Sequence, residues 1–308
     1  MKELKGLVPP MITVWRDDES FDEEGTRKHV NFLIERGVQG LVPCGSTGEF
    51  ISMTLEERKK VAEVVVDAAK KRVPVYVHTG CFRTKTTIEL SKHAEAVGAD
   101  GVMVIAPYYL KPQEREVKEH FRALAREINI PIMAYNNVRF AGTELSMPSI
   151  VELHREGVLS SVKLAHGDAA RVHDLKQRLG DDQMTILYGH NTSAFQALAA
   201  GADGWVAGIG NLAPEVIRKM CDLILERNDL RKAREYWYKI IPLIRCSSTP
   251  KRGLPTPDWL QTIKEGLKMR GRDVGPCRKP TLPLEEEDRE QLRKVLGQLN
   301  LLAEVPVS

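Results

Sequence analysis

The chain has 308 residues, 42% of them hydrophobic, 28% charged, and a net charge of only +3. That is enough apolar material for one large core, and no long Lys/Arg block marks a nucleic-acid footprint. No apolar stretch approaches the roughly 20 residues of a membrane span, and the start of the chain turns polar without an apolar signal core.

In chain order, short apolar runs alternate with amphipathic helical stretches. The runs are Gly6–Val14, Gly40–Pro43, Val73–His78, Gly101–Ile105, Pro131–Tyr135, Leu159–Leu164, Met184–Tyr188 and Gly204–Ala207. Most lack polar alternation, as strands buried on both faces do. The helix after the second run opens at Thr54-Leu55-Glu56-Glu57, a capping-box pattern. It then places Val61, Val64, Val65, Ala68 and Ala69 on one face. Within it, Arg58-Lys59-Lys60 reads as helical surface. Gly37, Gly98, Gly157, Gly180 and Gly201 recur at the helix-to-strand joints, where a left-handed residue ends a helix. Gly98-Ala99-Asp100-Gly101 and Gly201-Ala202-Asp203-Gly204 are one joint used twice.

Buried strands each followed by a helix predict a (β/α)₈ TIM barrel over residues 1–225. An open doubly wound sheet would want a Gly-rich dinucleotide turn after the first strand, and Trp15-Arg16-Asp17-Asp18 stands there instead. From about residue 213 the pattern is helical only. Ile217, Met220, Cys221 and Ile224 share one face, and Leu292, Val295, Leu296 and Leu299 another. Residues 226–308 read as a C-terminal helical extension packed on the barrel. Ser247–Pro257 and Arg278–Pro283 read as its connectors. The five cysteines (Cys44, Cys81, Cys221, Cys246, Cys277) form no CxxC pair. They read as free thiols in a reducing cytoplasm.

In such a barrel the chemistry sits at the C-terminal strand ends. Lys163, in the otherwise apolar or small Ser161-Val162-Lys163-Leu164-Ala165, either buries its amine, snorkels to the rim, or pairs with a carboxylate. Burial would lower its pKa and leave a neutral nucleophile. The turn Gly45-Ser46-Thr47-Gly48-Glu49 offers backbone N–H groups and two hydroxyls to a carboxylate, or is a plain strand-to-helix turn. Tyr135 is a general acid or base, or a core aromatic. His190, in the loop Gly189-His190-Asn191-Thr192, is a substrate contact or a satisfied loop histidine. Gly208-Ile209-Gly210 leaves room for a phosphate-binding barrel without an imine step.

Gly45–Glu49, Pro107-Tyr108-Tyr109, Tyr135-Asn136 and Val162-Lys163, in that order and spacing, resemble the dihydrodipicolinate synthase / N-acetylneuraminate lyase family of class I aldolases. The resemblance covers nearly the whole chain. It implies that Lys163 forms a Schiff base with pyruvate or a related 2-oxo acid, and that Tyr135 shuttles the proton. It implies Ser46 as the relay hydroxyl and Thr47, with Gly45 and Gly48, as the carboxylate contact. Tyr109 would reach into a neighbour's site, so a homotetramer, a dimer of dimers, is implied. A protonated imine is its own electron sink, so this chemistry requires no metal or organic cofactor. No nucleic acid or membrane partner is expected.

The departures concern the second substrate. The family's synthases usually read Tyr-Asn-x-Pro-x-Arg-Thr-Gly, whereas this chain reads Tyr135-Asn136-Asn137-Val138-Arg139-Phe140-Ala141-Gly142. Phe140 stands where an arginine would grip a second carboxylate, and Arg139 is one place away. With Gly189, His190 and Val206 they are candidates for substrate contacts. On the sequence, the preferred reading is a Schiff-base aldolase or dehydratase acting on a sugar-derived 2-oxo acid. The alternative is 4-hydroxy-tetrahydrodipicolinate synthase proper, with Arg139 replacing the missing arginine. A catalytically silent, ligand-binding family member is a third reading.

Overall fold

The computed structural model describes residues 4–250 and 258–303. Among them run seven parallel strands. They are β1 (Gly6–Leu7), β2 (Tyr76–His78), β3 (Gly101–Ile105), β4 (Ile132–Asn136), β5 (Ser161–Leu164), β6 (Thr185–Tyr188) and β7 (Gly204–Trp205), in the order β1-β7-β6-β5-β4-β3-β2.

The barrel half of the chain contributes helices α1 (Glu23–Glu35), α2 (Leu55–Ala69), α3 (Thr84–Ala96), α4 (Glu114–Ala125), α5 (Val138–Ala141), α6 (Met147–Arg155), α7 (Ala170–Leu179), α8 (Ala194–Ala199) and α9 (Pro214–Cys221). After them come α10 (Leu230–Ser248), α11 (Trp259–Met269) and α12 (Glu286–Gln298), which pack on one another.

The one expected run not among these seven strands, Gly40–Pro43, is not a ladder strand but closes the barrel as its eighth stave. Val42 bridges Pro10 on one side and Leu41 bridges Val75 on the other, both parallel. Met11 N–H donates to the Val42 carbonyl, and Tyr76 N–H to that of Leu41. Pro9, Pro10, Pro43 and Pro74 carry no N–H, so this stave cannot complete a regular ladder. The result is a (β/α)₈ TIM barrel with C-terminal helices.

Strands β2 to β5 are buried at every residue, because side chains fill the barrel on one face and helices cover the other. Helix α2 is capped as expected: Thr54 accepts from Glu57 N–H while the Glu57 carboxylate accepts from Thr54 N–H. The two matching joints also work alike. Gly98 and Gly201 take positive φ, and each following aspartate accepts from a backbone N–H at the start of a neighbouring stave, Asp100 from Val75 just before β2 and Asp203 from Ile186 in β6.

Two expectations are corrected. Arg58 is not helical surface but 4% exposed. It lies one turn before Val61 on the inward face, and its guanidinium donates to the carbonyls of His78 and Gly80. The connector expected at Ser247–Pro257 begins later, because α10 runs through Ser247 and Ser248. Its residues 251–257 lie outside the described residues. The four buried cysteines and the half-buried Cys277 are all free, and no helix among the described residues is long and apolar enough to cross a membrane.

Candidate active site

The register of two neighbouring strands creates the centre of the site. Tyr135 on β4 is paired with Lys163 on β5. Residues level with each other in a ladder point to the same face, here into the barrel mouth. The Lys163 amine lies 3.8 Å from the centroid of the Tyr135 ring. Lys163 is 5% exposed, and burial alone pushes its pKa down to about 7. Of the alternatives open from sequence, the side chain therefore takes the buried one. It neither snorkels nor leans on a carboxylate, and near neutral pH a large fraction of the amine is uncharged.

Space for this lysine comes from Gly189, just past β6. A Cβ there would stand 2.5 Å from Lys163 Cε. Gly189 N–H donates to the Leu164 carbonyl at 2.7 Å, which brings the two backbones close.

The Tyr135 phenol is fully enclosed, and burial raises its pKa. Hydrogen bonds from Asn137, whose Nδ2 donates to the phenol oxygen at 2.7 Å, and with Ser46 oppose that rise. The phenol is thus protonated at neutral pH but tied to a second hydroxyl, an arrangement that can pass a proton in either direction.

Ser46 and Thr47 come from a short 3₁₀ turn, Ser46–Gly48, that follows the proline-bounded eighth stave. Gly48 is required by close approach: a Cβ would meet the Met11 carbonyl at 2.9 Å. The turn closes on Glu49, whose backbone is left-handed at φ 61.

Together these groups line a cavity of about 170 Å³. Lys163, Tyr135, Ser46 and Thr47 all line it. Arg139, Phe140, Gly189, His190 and Val206 form more of its wall. Arg139 reaches the cavity because a short helix begins at this point. The Asn137 side chain caps it, accepting from Phe140 N–H at 3.3 Å. That turn rotates the chain relative to an extended strand end, so a one-residue shift does not carry Arg139 away. Burial lowers the pKa of His190, and nearby Arg139 lowers it further.

Gly45 and Gly48 shape the turn without lining the cavity, and neither does Tyr109, which is 89% exposed. Sequence reasoning missed Asn137, Ser247, Ser248, Trp259 and Ile263, all on the wall. Asn137 stood inside a motif already singled out. The other four come from α10 and α11, and no local pattern marks them as facing a barrel mouth.

A TIM barrel whose mouth holds a buried lysine of lowered pKa beside a hydrogen-bonded tyrosine defines an enzyme of the class I aldolase and lyase type. The family comparison makes this specific. The model of the dihydrodipicolinate synthetase family matches residues 3–299, and the chain belongs to that family. It is similar to a 4-hydroxy-tetrahydrodipicolinate synthase from Methanothrix thermoacetophila, 36% identical over 296 residues, covering 96% of this chain and 97% of the relative. Dihydrodipicolinate synthase from Aquifex aeolicus superposes with a TM-score of 0.89 at 29% identity, covering 98% of this chain and 100% of that one. A prophage protein of the same family from E. coli K12, solved in complex with pyruvate, gives a TM-score of 0.88 at 31% identity over 96% of this chain and 99% of its own.

Proposed function

We propose that the chain condenses pyruvate with aspartate semialdehyde as a 4-hydroxy-tetrahydrodipicolinate synthase, through a Schiff base on Lys163. The observation that carries the imine step is the buried amine of Lys163 beside Tyr135. The choice of condensation over cleavage follows the names of relatives at 36% identity along nearly their full length. This reverses the preference drawn from Phe140 in the sequence. Arg139 on the cavity wall supplies a guanidinium for the second carboxylate although Phe140 holds the usual position.

The steps balance without a further reagent. The neutral Lys163 amine attacks C2 of the 2-oxo acid and water leaves, giving the imine. A C3 proton leaves, and the enamine attacks the aldehyde carbon. Tyr135 and Ser46 carry the protons, Thr47 holds the pyruvate carboxylate, and Arg139 and His190 hold the partner's carboxylate. The partner's own amine then attacks the imine carbon and releases Lys163. Residues 1–225 are taken as the barrel and 226–308 as the extension.

A homotetramer is part of this reading. Tyr109 and Leu110 are 89% and 86% exposed, and Phe82 is 60% exposed. A neighbouring subunit would cover such side chains and receive Tyr109 in its site. The reading places the enzyme in the cytoplasm.

A second reading, cleavage or dehydration of a sugar-derived 2-oxo acid, is favoured by one observation. Phe140 and Trp259 stand with ring centroids 6.4 Å apart on the same wall. The intact Lys163, Tyr135 and Thr47 set speaks against a silent binding protein. Incubation with pyruvate and borohydride, followed by intact mass, should show one reduced adduct on Lys163; a folded protein without adduct refutes both readings. Turnover of pyruvate only when aspartate semialdehyde is supplied separates the first from the second.

A further inference from the structure

We propose that Lys264, on α11 of the C-terminal extension, is a positioning residue for the reaction. Through Glu49 it fixes the Gly45–Glu49 turn, and so sets the Ser46 and Thr47 hydroxyls against Lys163. Lys264 is not part of the cavity wall. Whatever it contributes to turnover must pass through the group it touches.

That group is unusual in two ways. Glu49 holds a left-handed backbone (φ 61, ψ 32) although it is not glycine. Such a conformation persists only where its surroundings enforce it. Its side chain is also 3% exposed, and that of Lys264 is 4% exposed. Either charge alone would be costly in that place. They stand 2.9 Å apart, Lys264 Nζ against Glu49 Oε1. The Trp15 indole N–H donates to the same oxygen at 3.0 Å, and Arg278 backbone N–H donates to Oε2 at 2.8 Å. Lys264 is itself aimed by a bond to the Pro276 carbonyl at 2.6 Å. The Glu49 carboxylate is thus held by three donors from three distant segments, two of them in the extension.

The same segment grips the far side of the turn. The Arg278 guanidinium lies 3.7 Å from the Trp15 ring, pairs with Glu57, and donates to the Ser52 carbonyl at 2.6 Å. The turn keeps local backbone bonds, Gly48 N–H to the Gly45 carbonyl and Glu49 N–H to that of Ser46. The extension adds two of the three partners of its buried carboxylate. Ile263, next to Lys264, lines the cavity directly, so a shift of α11 would move the wall and the turn together.

The inference rests on the reading of Thr47 as the carboxylate contact, and the test keeps the two apart. KM for pyruvate, kcat and the yield of borohydride-trapped Lys163 are measured for Thr47→Val, Lys264→Met, Lys264→Arg and the double variant Lys264→Met/Glu49→Gln. The double variant leaves no unpaired buried charge and keeps the experiment usable if Lys264→Met does not fold. The expected result is a rise in pyruvate KM of about tenfold or more in Thr47→Val, Lys264→Met and the double variant. Trapping at saturating pyruvate should stay complete, and Lys264→Arg should recover most of the loss. A Thr47→Val enzyme with raised KM beside a folded double variant within twofold of the parent overturns the clamp alone. A Thr47→Val enzyme with unchanged KM overturns the carboxylate reading and the clamp with it.

Discussion

The two walls of the site are built in opposite ways. On one, Tyr135 and Lys163 are partners in adjacent strands, and the ladder that aligns β4 with β5 also aligns the phenol with the amine. On the other, the turn bearing Ser46 and Thr47 is held by contacts that span the whole chain, such as the bond between Glu49 and Arg278, 229 residues apart. The first wall owes its geometry to the strand period, which any barrel must satisfy. The second owes much of it to tertiary contacts between segments far apart in the chain. Disturbing the first should damage the chemistry directly, whereas disturbing the second should damage binding or stability first.

The largest expected effect lies on the strand wall. Lys163→Ala should abolish turnover and the borohydride adduct together; residual turnover by an alternative route would separate the fold from the proposed imine step. In the parent enzyme the same amine sets a pH limb. Its pKa is lowered to about 7 by burial, so the neutral nucleophile is lost as pH falls below that value. The rate of imine formation at low pyruvate should fall roughly tenfold per pH unit on the acid side. A flat profile between pH 5 and 7 would show that the lysine is not the titrating group. Tyr135→Phe should still form the adduct but slow the proton transfers by about 10²-fold, read as a kcat loss at full trapping. Gly189→Ala should cost about tenfold or more in kcat/KM, because a Cβ 2.5 Å from Lys163 Cε displaces the amine from its alignment. Unchanged kinetics in that variant would mean the barrel mouth yields more readily than its packing implies.

The contrast between the walls also explains what the sequence revealed. Lys163 was visible because a charged residue interrupts a strand that is otherwise apolar or small, and Tyr135 because it ends the neighbouring run. The capped start of α2 and the paired Gly-Ala-Asp-Gly joints were visible because capping and left-handed glycine are local rules. The eighth stave was legible as an apolar run but not as an irregular one, since four prolines had to be set beside each other to see the missing donors. Arg58 was misread because its charge outweighed its place on the inward face. Trp259, Ser247 and Lys264 left no signal, because which residues of a helical extension turn toward the barrel depends on how α10 and α11 dock. The preference for cleavage over condensation lost ground for a related reason. It weighed Arg139 as displaced by one residue, whereas the short helix at Val138 leaves Arg139 on the cavity wall. The names of the relatives also favour condensation.

The smallest expected effect tests whether the turn wall answers to the clamp or merely to the stability of its surroundings. Thr54 caps α2, one turn beyond Glu49, through the bond from Glu57 N–H at 3.1 Å. Thr54→Ala removes that bond at an exposed position and should cost about 1 kcal/mol, a fall in Tm of roughly 2 °C for a chain of this size. Glu57 keeps its pair with Arg278, and the Glu49–Lys264 contact is untouched. KM for pyruvate should therefore stay at the parent value while Tm falls. If the cap variant instead raises KM as the Lys264 variants are expected to, the hydroxyl wall responds to any loosening of its neighbourhood. The division between a wall set by strand register and a wall set by one buried ion pair would then have to be given up.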